Sequence, residues 1–297
     1  MRDPALIRRL PDGRRLHLHD GPIDLILEAW GTPEAVASAY RAAAGRFAGL
    51  LDELCGELAV LRAPVGPLSP VPAGPVARRM RAAVLPYAED CFITPMAAVA
   101  GAVAEAVLAA MVAAAPLDRA YVNNGGDIAL HLAPGERFTT GLVDRPDRPS
   151  LIGTALVRAE VPVRGIATSG RHGRSFSLGI ADAVTILAPS AAGADAAATI
   201  VANAVDLPDH PGILRVPADE LDPNTDLGAR LVTRTVPDLA AEARDRALDA
   251  GLARAAGLVA DGRIVAAALH LQGVTRTIGT LEQLEPPQDA IRRMQHA

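Results

Sequence analysis

Val163–Asn203 reads VRGIATSGRHGRSFSLGIADAVTILAPSAAGADAAATIVAN: a polar Gly/Ser/Thr loop joined to a strand and then to a helix that carries a carboxylate. Apolar alternation over Pro162–Ala167 and again over Ala183–Ala188 predicts two strands, because period-2 patterning buries one face of a sheet. The loop between them holds Thr168, Ser169, Gly170, Arg171, Gly173, Arg174, Ser175 and Ser177. Small residues there let main-chain N–H groups approach an anion closely. After Pro189, Ser190 is a candidate N-cap for the Ala-rich helix that follows. Helical spacing stacks Asp195, Thr199 and Asn203 on one face, so an otherwise apolar helix carries one polar stripe.

Outward from this stretch the chain mixes α and β. Tyr121–Asn123 and Asp127–Leu132 read as strands meeting at a Gly125-Gly126 turn, with further strands at Phe138–Val143 and Leu151–Ala159. The strand-like Ile23–Ala29 precedes an amphipathic helix that Thr32-Pro33 opens and that runs to about Leu58, and Pro64–Pro75 reads as a Pro/Gly-rich connector. Met96–Ala115, MAAVAGAVAEAVLAAMVAAA, is helical, with Thr94 as N-cap, Pro95 at the first helical position and Pro116 beyond its end. It has the length of a membrane span, but alanine gains little from lipid and Glu105 sits near its middle, so it reads as a buried helix. A helix over Asp238–Val259 and a strand at Arg263–Leu271 close the fold, and the polar segment after Thr280 is expected to fray.

Three segments carry a resemblance. NNGGD at Asn123–Asp127, ATSG at Ala167–Gly170 and ADAAAT at Ala194–Thr199 resemble, in the same order, the signature segments of ApbE-like proteins, the FAD:protein FMN transferases. The resemblance implies an α+β, ApbE-like fold with mixed or antiparallel sheets and packed helices. It would span 1–297 as a single domain, or as two intimately packed subdomains with a joint near 64–75. It implies Mg²⁺ held partly by Asp195 and Thr199 on a nucleotide pyrophosphate. FAD, FMN or a related nucleotide would then be bound by Asn123, Asn124, Gly125, Gly126, Asp127, Thr168, Ser169, Gly170, Arg171, Arg174 and Ser175.

The chain departs from the transferases at two places. Where they carry a KGxAxD segment whose Lys and Asp face the flavin, this chain has Ala100 and Glu105. Their HxxDPxTGxP segment is missing, since Phe176 leads straight into SLGIADAVTILA. PMAAVAGA at Pro95–Ala102 and LDPNTDLGARLVT at Leu221–Thr233 are more similar to a branch of ApbE-like proteins outside the transferases proper. Asp195, His172 and Glu105 are the candidates for catalysis, His172 being the only histidine of the motif region. Two functions are expected from this: a Mg²⁺-dependent enzyme that transfers a phosphoryl or flavinyl group or hydrolyses FAD, and a non-catalytic ligand-binding protein of the same fold.

Each residue also has a plainer reading. The Gly-Gly pair is also a hairpin turn, Asp195 and Thr199 also a solvated stripe, and Arg171, His172 and Arg174 also solvated loop residues, although a guanidinium fork matches phosphate oxygens. Ser175 in GRSFS misses a nucleophile elbow by one glycine, because position 177 is Ser.

Composition narrows the field further. The 297 residues, half of them hydrophobic, can fill a sizeable core. All 29 basic residues are arginine, which excludes a Schiff-base lysine and a P-loop lysine. A net charge of −5 with scattered basic residues gives no footprint for nucleic acid. Cys55 and Cys91 lie in no metal-like spacing and suggest no disulfide framework. MRDPALIRRLPDGRRL shows no apolar signal segment, so a cytoplasmic protein without a membrane partner is expected. The small side chains of Met96–Ala115 would also accept a second copy of the chain, which makes a homo-oligomer one of the expected partners.

Overall fold

A computed structural model describes residues 5–145 and 151–280, without the side chains of 151 and 152. The segment expected to fray lies outside them. The chain opens with strands β1 (Leu6–Arg9), β2 (Leu16–Asp20) and β3 (Ile23–Trp30), then helices α1 (Pro33–Phe47), α2 (Leu50–Gly56), α3 (Leu58–Leu61), α4 (Pro75–Val84) and α5 (Val99–Ala114). Strands β4 (Arg119–Asn124), β5 (Asp127–Leu132), β6 (Arg137–Val143), β7 (Leu151–Arg158), β8 (Gly165–Ser169) and β9 (Ala183–Ala188) lead to helix α6 (Ala191–Ala204). The remainder is β10 (Leu214–Pro217), α7 (Ala218–Leu221), β11 (Leu231–Thr235), α8 (Ala241–Ala260), β12 (Ala266–Leu271) and β13 (Val274–Gly279). The fold is α+β with antiparallel sheets and packed helices, as expected.

The chain divides into two compact units. The first comprises residues up to Glu136 with Ala159–Ala167 and Pro189–Ala196; the second comprises Arg137–Arg158, Thr168–Ala188 and the residues from Ala197 on. Pro64–Pro75, read from composition as a connector and joint, lies wholly inside the first. There Arg81 donates to the carbonyls of Gly66 and Ser69, and the Glu57 carboxylate accepts from the main-chain N–H groups of Ala73 and Gly74.

In the first unit β1 to β5 follow one another in antiparallel order. Leu16 and Leu18 of β2 pair with Leu27 and Leu25 of β3 on the buried face, which puts His17, His19 and Asp24 on the other. Thr32 caps α1 by accepting from the Ala35 N–H, and Ala35, Ala39, Tyr40, Ala43 and Phe47 are its buried side. The single helix expected to run to about Leu58 is two, α1 and α2, with α3 beginning where it was expected to end. Gly49 takes a left-handed φ of 78°, which stops the first and starts the second.

The helix expected from Pro95 on also has a break near its start. Thr94 accepts from the Met96 N–H as predicted, but Pro95–Ala98 is a 3₁₀ turn, and Ala98 (φ −131°) separates it from α5. Pro95–Ala114 is the one stretch among the described residues long and apolar enough to cross a membrane, with a mean hydropathy of 2.0, and half of it is buried. Its inner side packs against β4, β5 and α1.

In the second unit β12 lies between β9 and β13, and β9 and β12 are buried throughout. Helix α8 covers β12 and β13. Strand β13 lies beyond the strands expected from sequence, because its two-residue turn is Gln272-Gly273 (φ 44° and 81°), with glutamine where Asn, Asp or Gly marks such a hairpin.

Helices α5 and α6 touch main chain to main chain. A Cβ added at Gly101 would lie 2.2 Å from the Ala191 carbonyl oxygen. Gly101→Ala should therefore destabilise the protein by about 1–3 kcal/mol through overpacking, outweighing the gain of about 1 kcal/mol in helix propensity. Urea unfolding measures it, and an equally or more stable variant would contradict this close approach.

Candidate functional site

In the first unit, NNGGD forms a two-residue hairpin turn. Gly125 (φ 65°) and Gly126 (φ 114°) take the positive φ that such turns demand, and Asn123 Oδ1 accepts from the Gly126 N–H at 2.8 Å. Asn123 thus builds the turn. Asn124 is buried and donates from Nδ2 to the Ala100 carbonyl at 3.2 Å.

The break at Ala98 leaves the first N–H groups of α5 without partners inside the helix. Asp195 supplies one: its Oδ2 accepts from the Gly101 N–H at 2.9 Å, and the Ala100 N–H also donates to the carboxylate. Both polar atoms of the Ala100 main chain are therefore engaged. The side chain of Asp195 keeps a little solvent contact, yet burial of its carboxyl pushes the pKa well above 3.8. The charge of Asp127 pushes the same way, and the two N–H donors oppose it. The charge of Asp127 thus reaches Asp195 at the start of a helix.

Glu105, one of the residues proposed for catalysis, is occupied by structure. Its Oε1 accepts from the Ala192 N–H at 2.9 Å, and its Oε2 lies 2.9 Å from Arg79 Nε. Ser190 caps α6 as expected, accepting from the Gly193 N–H. A cleft of about 320 Å³ is lined by Arg79, Glu105, Leu108, His131, Arg164 and Ser190 among others, but Asn124, Asp127 and Asp195 are not in its walls.

In the second unit the glycine-rich loop is organised by Asp182, a residue the sequence reading passed over. Asp182 is buried, and its carboxylate takes Arg171 (Nε at 2.8 Å, Nη2 at 2.6 Å), His172 Nε2 at 3.2 Å and the Gln272 N–H at 2.6 Å. Arg171 and His172, expected to face phosphate or a reacting group, are pinned to this carboxylate instead. The sequence held a weak signal: an acid at the mouth of a buried strand, ten residues after an Arg-His pair. Gly170 fits closely here, since a Cβ on it would lie 2.4 Å from the Asp182 carbonyl oxygen.

Thr168 shares a hydrogen bond with Thr185 (2.9 Å), and Arg174 and Ser175 are exposed. Of the stripe on α6, Thr199 is partly exposed, and Asn203 accepts from the Leu178 N–H at 3.0 Å and so closes a loop. Asn124, Asp127 and Asp195 are the predicted residues that the first unit gathers in one place.

The family model described as AbpE bacteria matches residues 7–277. A UPF0280 protein of Methanopyrus kandleri is 38% identical over 128 residues, 43% of this chain and 48% of that one. A UPF0280 protein of Methanothermobacter thermautotrophicus is 38% identical over 142 residues, 47% and 52% of the two chains. The chain spans about half the length of the curated relatives it matches. Among solved structures, the flavin transferase ApbE from Vibrio cholerae aligns with a TM-score of 0.38 and 10% identity, covering 93% of this chain and 98% of that one.

An aspartate whose pKa is higher in the folded than in the unfolded chain makes the folded state bind more protons. Stability is then greatest below the unfolded value and falls as pH rises toward the folded one. Asp195→Asn keeps an oxygen for the Gly101 N–H and removes the charge beside Asp127. In chelator, the variant should melt at or above the wild type at neutral pH, with a shallower loss of stability as pH rises from about 4. A lower melting temperature at neutral pH would show that the charge itself holds the helix start. Asp182→Ala should cost on the order of 3 kcal/mol, because Arg171 loses its counter-charge and the Gln272 N–H its acceptor; denaturant titration reads this, and a change under 1 kcal/mol or so would deny Asp182 its organising role.

Proposed function

The chain belongs to the AbpE bacteria family, and from that premise we propose that it is an ApbE-like binding protein for a flavin or another pyrophosphate-containing nucleotide, with Mg²⁺ on Asp195 and Asp127. One observation carries this reading. The Asp195 carboxyl is fixed on the Gly101 N–H at the start of α5, desolvated and within reach of the charge of Asp127, and a hard divalent cation would relieve both burdens. The donors fit Mg²⁺, since both are carboxylate oxygens, and the ion would enter as Asp195 gives up its proton. Bound there, Mg²⁺ would neutralise and polarise phosphoryl oxygens. Asn124 fixes the Ala100 carbonyl and Asp195 fixes the N–H groups of Ala100 and Gly101, so the edge of this site is rigid before any ligand arrives.

The same contacts favour binding over transfer. Catalysis needs groups that act more strongly on the transition state than on the bound ligand. Where the transferases resembled by the motifs carry a lysine, this chain has a methyl group, Ala100, and Glu105 is committed to Ala192 and Arg79. His172 is committed to Asp182. Losing a positioned acid–base group costs roughly 10²–10⁴-fold in rate. Any FAD turnover is therefore expected to be no more than slow hydrolysis to FMN and AMP.

Calorimetry with FAD, FMN and ADP, each with Mg²⁺ and with chelator, tests the binding. Mg²⁺-dependent binding that Asp195→Asn abolishes is the expected result; equal affinity in chelator would sink the metal assignment. Incubation with FAD, Mg²⁺ and a threonine-containing acceptor peptide should leave the peptide unmodified by mass. Rapid covalent FMN on it would refute the reading of binding without transfer.

A further inference from the structure

The β2–β3 hairpin carries a second cluster of ligating side chains, unrelated to the carboxylate pair. His17 and His19 alternate with the buried Leu16 and Leu18, so both imidazoles lie on the outer face, and Asp24 stands directly opposite His19 in the antiparallel register. His17 Nε2 is 2.9 Å from Asp24 Oδ1, and His19 Nδ1 is 3.5 Å from Asp24 Oδ2. One ligating atom from each residue falls within 4.8 Å of the others. Tetrahedral Zn²⁺ with bonds of about 2.0–2.1 Å sets its ligand atoms roughly 3.3 Å apart; the two measured separations lie near that spacing but reach different oxygens of Asp24, so a turn of the carboxylate is needed to present one oxygen to the ion.

A second feature of the cluster points to a ligand. His19 Nδ1 is shielded from solvent and has no hydrogen-bond partner, because its approach to Asp24 lacks hydrogen-bond geometry. An orphaned polar nitrogen in a folded protein is costly, and a metal ion would satisfy it. Two imidazoles and one carboxylate suit zinc and its transition-metal neighbours, whereas Mg²⁺ prefers oxygen.

We propose that His17, His19 and Asp24 form a Zn²⁺ site on the β2–β3 hairpin, with its fourth position open to solvent. The side chains of His19 and Asp24 are 45% and 47% exposed, so the ion meets the Asp24 carboxylate first and the His19 ring turns its shielded Nδ1 toward it. Arg8 is the group that opposes it. Its Nε donates to His17 Nδ1 at 3.2 Å, which leaves the His17 proton on Nε2, facing Asp24. Binding through Nε2 moves that proton to Nδ1 by exchange with solvent and displaces the exposed Arg8. The metal then joins two adjacent strands through three side chains and stiffens the hairpin.

The test uses tag-free, full-length protein stripped with chelator and titrated with Zn²⁺ alone, read by calorimetry and by elemental analysis after gel filtration. One Zn²⁺ per chain is expected, with binding weakened at least roughly a hundredfold by His19→Ala or Asp24→Asn, since each removes one of only three ligands. Arg8→Ala should bind as tightly as wild type or more tightly, and Asp195→Asn should keep its Zn²⁺. Co²⁺ substitution gives a second readout: strong visible absorption in the wild type, lost in His19→Gln, with circular dichroism checking that each variant is folded. Absence of stoichiometric Zn²⁺ in the wild type, undiminished binding in folded His19→Gln, or loss of Zn²⁺ in Asp195→Asn would each overturn the site.

Discussion

The first unit depends on a reciprocal exchange of carboxylates between the starts of two helices. Glu105, in the second turn of α5, accepts from the Ala192 N–H in the first turn of α6, and Asp195, in the second turn of α6, accepts from the Gly101 N–H in the first turn of α5. A helix start leaves several N–H groups unsatisfied and carries a partial positive charge. A carboxylate from the neighbour answers both, and only if the helices approach closely. Gly101 against Ala191 and Gly165 against Ser190 permit that approach, since a Cβ at either would lie 2.2 Å from main-chain atoms. The small residues of these segments are thus a condition of the capping geometry.

That geometry puts two demands on Asp195. As a cap it is favoured by two N–H donors; as a desolvated charge beside Asp127 it is disfavoured. Capping alone would be served by a neutral amide, whose oxygen accepts the same hydrogen bond. Keeping an acid where a neutral acceptor would suffice has a cost in stability at neutral pH, and the proposed Mg²⁺ would offset it.

The second unit concentrates its polar bonding at Asp182. One carboxylate holds the loop through Arg171 and His172 and holds the turn into β13 through the Gln272 N–H. Gln272 is the one described non-glycine residue with positive φ, and its side chain is also bound, accepting from the Leu239 N–H and donating to the Pro237 carbonyl. Unfavourable backbone geometry persists where surrounding contacts determine it.

The sequence by itself determined most of the elements, because period-2 and period-3.6 patterning, Ser190 and Thr32 as caps and the NNGGD turn are local properties of the chain, and the resemblance carried by its motifs implied the α+β class. It also marked Asn124, Asp127 and Asp195, through motifs far apart along the chain. It missed the division of the long first helix at Gly49, since an isolated glycine inside a helical pattern is ambiguous until its φ is known. It also missed what the polar side chains bond to. Glu105 reads from sequence as a catalytic candidate, and only the packing of α5 on α6 made it a cap; Arg171 reads as a phosphate-binding and His172 as a catalytic candidate, and only the fold brought the Asp182 carboxylate to both. Pattern and propensity are set within a few residues, so sequence carries them. The partner of a charged side chain lies anywhere along the chain that the fold brings within 3 Å or so, and only the tertiary structure decides it.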